Sequence, residues 1–150
     1  MFDTSLTVIG RLVNAPVLRR VGDDQVAKFR LASNSRRRTP DGTWEQGNSL
    51  FLTVNCWGNL GTGVAASLAK GDAVVVTGFV YTSEYDDRDG NRRSSLEMRA
   101  HAVGPDLGYY VVKVGRVVDN EQPGAEVYED ERLSDAEAVD LLEEPEPVPV

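Results

Sequence analysis

A 150-residue chain with 41% hydrophobic content is long enough to bury one real core, and its net charge of −8 averages two unlike parts. Residues 1–118 hold 15 Lys/Arg and 12 Asp/Glu, a balance of +3, whereas residues 119–150 hold Arg132 alone against 12 acidic residues, a balance of −11. The single cysteine, Cys56, excludes an intrachain disulfide and a cysteine-built metal centre, and no apolar run reaches the length of a membrane-spanning helix.

In chain order, the mildly basic body reads as strands. "SLTVIGRLV" (5–13) is β-rich and ends at Asn14-Ala15-Pro16. "QVAKFRLASNS" (25–35) sets Ala27, Phe29 and Leu31 against Lys28, Arg30 and Ala32. "SLFLTVNCW" (49–57) sets Leu50, Leu52, Val54 and Cys56 against Phe51, Thr53, Asn55 and Trp57. The first set reads as core; the second places two large aromatics among polar neighbours. "LGTGVAASLAKGD" (60–72) breaks the period, and Val64 with Leu68 and Ala65 with Ala69 mark a short helix closed by Lys70-Gly71. "DAVVVTGFVYTSEY" (72–85) is a long β-branched and aromatic run with Tyr81, Ser83 and Tyr85 on one face. "RSSLEMRAHAV" (93–103) turns Leu96, Met98 and Ala100 inward and Ser95, Glu97 and Arg99 outward.

Turn signals separate these runs at Gly22-Asp23-Asp24, Pro40-Asp41-Gly42 and Asp89-Gly90-Asn91. Five strands with one helix between the third and fourth is the element order of an all-β OB-fold barrel, expected over residues 1–107. "GYYVVKVGRVV" (108–118) reads as an extra strand, packed on the barrel or across a subunit interface. From Asp119 Pro and Glu accumulate toward "LLEEPEPVPV", the profile of a disordered acidic tail over 119–150.

The binding chemistry concentrates in "SNSRRRTPDGTWE" (33–45). Arg36, Arg37 and Arg38 followed by Trp44 suit a ligand that is both anionic and flat. A solvated charged loop with its tryptophan tucked against the barrel is the competing reading. Phe51, Trp57, Tyr81 and Tyr85 are candidate stacking platforms beside Lys28 and Arg30, with packing against a helix, hairpin or second subunit as the alternative. In "YDDRDGNRR" (85–93), Arg88, Arg92 and Arg93 favour phosphates and Asp86, Asp87 and Asp89 oppose them. Arg19 and Arg20 extend the basic path or only solubilise the surface. Cys56 reads as an inert small hydrophobe and His101 as structural. With no phosphate loop, dinucleotide fingerprint, metal spacing or catalytic set in the sequence, neither an enzyme nor a cofactor is expected.

"SLTVIGRLVNAPVLR", "VAKFRLASNSRRR", "NSLFLTVNCWGNLG" and "AASLAKGDAVVVTGFVYTSEYDDRDGNRRSSLEMRA" follow one another in an order that resembles the bacterial single-stranded-DNA-binding proteins, over residues 3–107. The resemblance implies an OB-fold, a homotetramer and sequence-tolerant wrapping of single strands. It puts stacking roles on Phe51, Trp57 and Tyr85 and phosphate roles near Arg11, Arg19 and Lys28. Arg37 stands where a further family ring is usual. Family tails end in an acidic cluster and an apolar tip that docks replication and repair proteins. This tail is acidic but ends "EEPEPVPV" without that tip, a departure that suits a specialised paralogue. The run at 109–118 resembles the extra C-terminal strand of actinobacterial members, which clamps subunits together.

The expectation is a cytoplasmic, nucleoid-associated, homotetrameric protein that coats single-stranded DNA in replication, repair or recombination. Bases stack on Phe51, Trp57 and Tyr85, with Trp44 and Tyr81 as further rings. Phosphates meet Arg36, Arg37, Arg38, Lys28 and Arg30, with Arg11, Arg19, Arg92 and Arg93 extending the path. An OB-fold adaptor for protein and a cold-shock-like RNA binder are the alternatives.

Overall fold

The computed structural model describes residues 2–117 and 125–126. Strands β1 (Thr4–Leu12), β2 (Val17–Val21), β3 (Asp24–Arg38) and β4 (Trp44–Trp57) precede helix α1 (Asn59–Ser67). Strands β5 (Ala73–Asp86), β6 (Arg92–Pro105), β7 (Arg116–Val117) and β8 (Ala125–Glu126) follow it. Six strands form one sheet in the order β1-β5-β6-β4-β3-β2. β1 also pairs with β3 through Arg11 opposite Ala32 and Leu12 opposite Leu31, so β1, β5, β6, β4 and β3 close into a ring. The β4–β6 pairing is parallel and the others are antiparallel.

Alternation builds the core, except that Leu50, expected there, lies beyond its end and is 40% exposed. Ala27, Phe29 and Leu31 of β3, Leu52, Val54 and Cys56 of β4, Val74 and Val76 of β5, and Met98 of β6 are buried in one cluster with Val8 and Leu12 of β1. Val64 of α1 closes one end of that cluster. Close approach of backbone requires glycine at Gly10 and Gly78, among other positions. A Cβ at Gly10 would stand 2.5 Å from the Ala32 carbonyl oxygen where β1 crosses β3. One at Gly78 would collide with the Arg99 carbonyl oxygen. Gly78 lies at a register shift, since Thr77 opposes Ala102 and Gly78 opposes Ala100, and His101 is the extra residue.

The five expected strands are present, with three differences. The β3–β4 and β5–β6 arms run further than the alternation indicated, so Arg36, Arg37 and Arg38 are strand residues and not loop residues. α1 ends at Ser67, because Leu68 is already extended at φ −106° and ψ 146°. A short strand, β2, continues the sheet beyond β3.

The run at 108–118 was expected to hold an extra strand, on the barrel or across a subunit interface. Among its described residues the strand is Arg116–Val117, and it pairs with Ala125–Glu126, not with the six-stranded sheet. The preceding segment is tied to the start of β5 by single bonds: the Asp106 N–H donates to the Ala73 carbonyl (2.9 Å), and the Ala73 N–H donates to the Tyr110 hydroxyl oxygen (2.9 Å). Apart from Ala125–Glu126, the expected acidic tail lies outside the described residues.

Candidate nucleic-acid interface

Directly opposed residues in neighbouring strands share a face, so the register places each candidate side chain. On the outer face of the ring, Arg30 opposes Thr53, Thr53 opposes Glu97, and Glu97 opposes Tyr81. The adjacent row runs Lys28, Asn55, Arg99, Phe79. Phe51 opposes Ala32 at one end of this patch, and Trp57 opposes Val26 at the other, with Val26 in turn opposite Arg19 of β2. Tyr85 opposes Arg93 further along β5 and β6. Phe51, Trp57, Tyr81, Tyr85, Lys28, Arg30, Arg19 and Arg93 therefore project from one continuous wall made by β2, β3, β4, β6 and β5.

The rings on this wall are available. Phe51 is 47% exposed, Tyr81 48% and Tyr85 50%, and Trp57 is half-buried. Their inward neighbours Leu52, Val54 and Cys56 are wholly buried, so the strand spends alternate positions on core and on surface. Phe51 and Trp57 are six residues apart on β4, which separates them by about 20 Å. Each carries a cation: the Arg30 guanidinium lies 5.9 Å from the Phe51 ring centre, and that of Arg99 lies 5.8 Å from the Trp57 ring centre. Arg30 also donates to the Thr53 hydroxyl (3.4 Å).

The β3–β4 arm carries the arginine run beyond the ring. The pairing Asn34 with Ser49 is followed by Arg36 with Gln46, so β4 has one residue more than β3 in this interval. That extra residue changes which way Trp44 faces. It opposes Arg38, and it therefore stands on the side of Phe51, Arg36 and Arg38. Trp44 is 57% exposed and adjoins the Thr39–Thr43 turn, so it sits at the tip of the arm and not at its base. Arg37 faces the other way and is ion-paired with its opposite residue, Glu45. The turn itself is pinned by Asp41, whose carboxyl is held below the usual range by hydrogen bonds from Thr39 and Thr43.

Three other expected phosphate contacts are already engaged. Arg11 donates to the Gly71 carbonyl (2.9 Å) and lies 4.9 Å from the Tyr109 ring centre. Arg92 is ion-paired with Glu84 (2.8 Å) and Asp86 (3.8 Å), and Arg93 with Asp87 (2.9 Å). The Arg93 hydrogen bond and the Asn91 N–H hold the Asp87 carboxyl below its ordinary range. Acidic residues of the second hairpin arm thus engage Arg92 and Arg93, whereas Arg88 has no ion pair among the described residues. Arg99, Phe79, Asn55 and Glu97 are wall residues that were not singled out as site residues. His101, read as structural, is exposed on the bulge with its ring edge-on to Phe79, centres 4.4 Å apart.

Residues 3–106 match the Single-strand binding protein family. The chain belongs to that family. A single-stranded DNA-binding protein of Corynebacterium glutamicum is 43% identical over 118 residues, covering 76% of this chain. The matched stretch spans 52% of that relative, about half its length. One from Mycolicibacterium smegmatis is 36% identical over 116 residues, covering 76% of this chain and 70% of its own. Among solved structures, the small single-stranded DNA-binding protein from Streptomyces coelicolor superposes with a TM-score of 0.65 at 31% identity, over 72% of this chain and 98% of that one. The second single-stranded DNA-binding protein (SSBb) from Mycobacterium smegmatis gives 0.63 at 51% identity, over 77% and 100%. The fold is accordingly the OB-fold of this family, and these relatives are actinobacterial.

Proposed function

We propose that this chain binds single-stranded DNA along the outer wall of β3, β4, β6 and β5, without strong sequence preference. The observation that carries this reading is the placement of Phe51, Trp57, Tyr81 and Tyr85 on the same face as Lys28, Arg30 and Arg99. Base stacking on an exposed ring needs an unpaired base, which selects single strands, and every base has a face to stack, which makes the binding tolerant of sequence. Each occupied ring contributes about 1–3 kcal/mol. Arg36 and Arg38 continue the cationic path along the arm on the side of Phe51, and Trp44 offers a further ring at its tip.

Family membership supports a homotetramer acting at the nucleoid in replication, repair or recombination, with no catalytic step. The tail is assigned a competing role: its balance of −11 occupies the basic path when DNA is absent. Deleting residues 119–150 then tightens binding, most at low salt.

Titration with oligo-dT, followed by intrinsic tryptophan fluorescence at several salt concentrations, tests the reading. Quenching with an affinity that falls steeply as salt rises is the expected result. No quenching and no salt dependence would sink it.

A further inference from the structure

Between the two rings of β4 the wall is polar, and its central side chain has the wrong sign for a polyanion. Glu97 projects from β6 between Thr53 on one neighbouring strand and Tyr81 on the other. It is half-buried. Its Oε1 accepts from the Asn55 side-chain amide at 3.2 Å, and that amide also donates to the Met98 carbonyl at 3.3 Å. Asn55 is itself buried and so held in place. Among the described residues Glu97 forms no ion pair, although Arg99 is two residues away on the same face and Arg30 is in the same row. Those two guanidiniums lie over Trp57 and Phe51 instead. The charge is close enough to Tyr81 to add to burial in raising that phenol above its ordinary value.

A carboxylate here repels phosphates; Asn55 satisfies its Oε1, and no hydrogen bond among the described residues reaches Oε2, which is left to meet a donor on the strand. A single strand offers donors on the base edges that pairing would otherwise hide. Cytosine and adenine present exocyclic amines, and guanine presents a ring N–H beside an amine. Thymine presents one ring N–H flanked by two carbonyl oxygens, which a carboxylate disfavours. Resting on the reading that the strand lies along this wall, we propose that Glu97 is a base-reading residue. Its second oxygen accepts from the amine edge of a base seated between Phe51 and Trp57. Binding is therefore biased against thymine at that position, inside an otherwise tolerant path.

The test is the isosteric variant Glu97→Gln. Its single side-chain oxygen stays on the Asn55 amide, which turns its own NH2 toward the base and reverses the hydrogen-bonding sense. Oligo-dC and oligo-dT of equal length are titrated into wild type and variant, full-length, at pH 8 and fixed salt. The dT-to-dC ratio of Kd is expected to fall in the variant by about threefold to tenfold, the worth of one net hydrogen bond. Equal tightening on both oligonucleotides would mean that Glu97 acts through charge alone, and an unchanged ratio would mean that no base meets it; either overturns the proposal. A second measurement uses wild type only and so does not depend on the variant folding. Replacing cytosine by 2-pyrimidinone, which lacks the amine, is expected to weaken binding by a similar factor, and equal affinity overturns the proposal. Wild type that bound neither oligonucleotide would instead remove the reading of the wall itself.

Discussion

Arg99 holds its guanidinium 5.8 Å from the centre of the Trp57 ring, from the strand alongside. Arg30 stands in the same relation to Phe51 at 5.9 Å. Both rings therefore carry a cation before any ligand arrives. A base that stacks on Trp57 meets Arg99 at its edge or displaces it toward the phosphate that follows. Arg99→Ala should lower the slope of log affinity against log salt by about 1 and weaken binding on every sequence alike. An unchanged slope with weaker binding would assign Arg99 to ring packing.

Phe51 and Phe29 separate binding from folding. The first is 47% exposed on the wall and the second 1% exposed in the core. Phe51→Ala should cost about 1–3 kcal/mol in oligo-dT binding while leaving the denaturation midpoint nearly unmoved. Phe29→Ala should cost about 3–5 kcal/mol of stability. Urea unfolding and DNA titration of both variants check the contrast.

The two arginine groups should behave differently. Arg36 and Arg38 stand on the side of Phe51, whereas Arg92 and Arg93 are paired with Glu84, Asp86 and Asp87. Replacing Arg36 and Arg38 together by alanine should lower the salt slope by about 2. Replacing Arg92 and Arg93 should change it by much less, because each removal also frees a carboxylate that repels DNA.

Burial pushes the Cys56 thiol up to about 12. The thiolate is the reactive form, so in the folded protein it is scarce at any pH well below that value. Ellman's reagent at pH 8 should leave native Cys56 unmodified over hours and titrate one thiol at once in denaturant. Rapid labelling of the native protein would contradict the packing of β4.

Much of this was legible in the sequence, and the gaps have physical causes. Period-2 alternation in 25–35, 49–57 and 93–103 separated most of the core from the wall, because those strands have one dry face and one wet one, but it failed at Leu50, read as core and exposed, and at Ala32, read as outward and buried. β2 left no such trace: all five of its residues are exposed, and Pro16 interrupts the run before it. The extra residue in the Gly47–Asn48 region also escaped the pattern. By alternation alone Trp44 and Phe51, seven apart, would face opposite ways; the bulge brings them to one side. Arg99 and Glu97 were visible as outward residues but not as neighbours of Trp57 and Thr53. Their proximity comes from the parallel β4–β6 register, a pairing of distant segments that no local pattern reports.

The central claim is that an unpaired base stacks on the β4 wall, and Trp57 is its own reporter. The chain has two tryptophans, so Trp44→Phe leaves Trp57 as the sole one. Saturating that variant with oligo-dT should strongly quench its emission, in step with binding followed by an independent label on the DNA. DNA that bound with unchanged Trp57 emission would contradict the account.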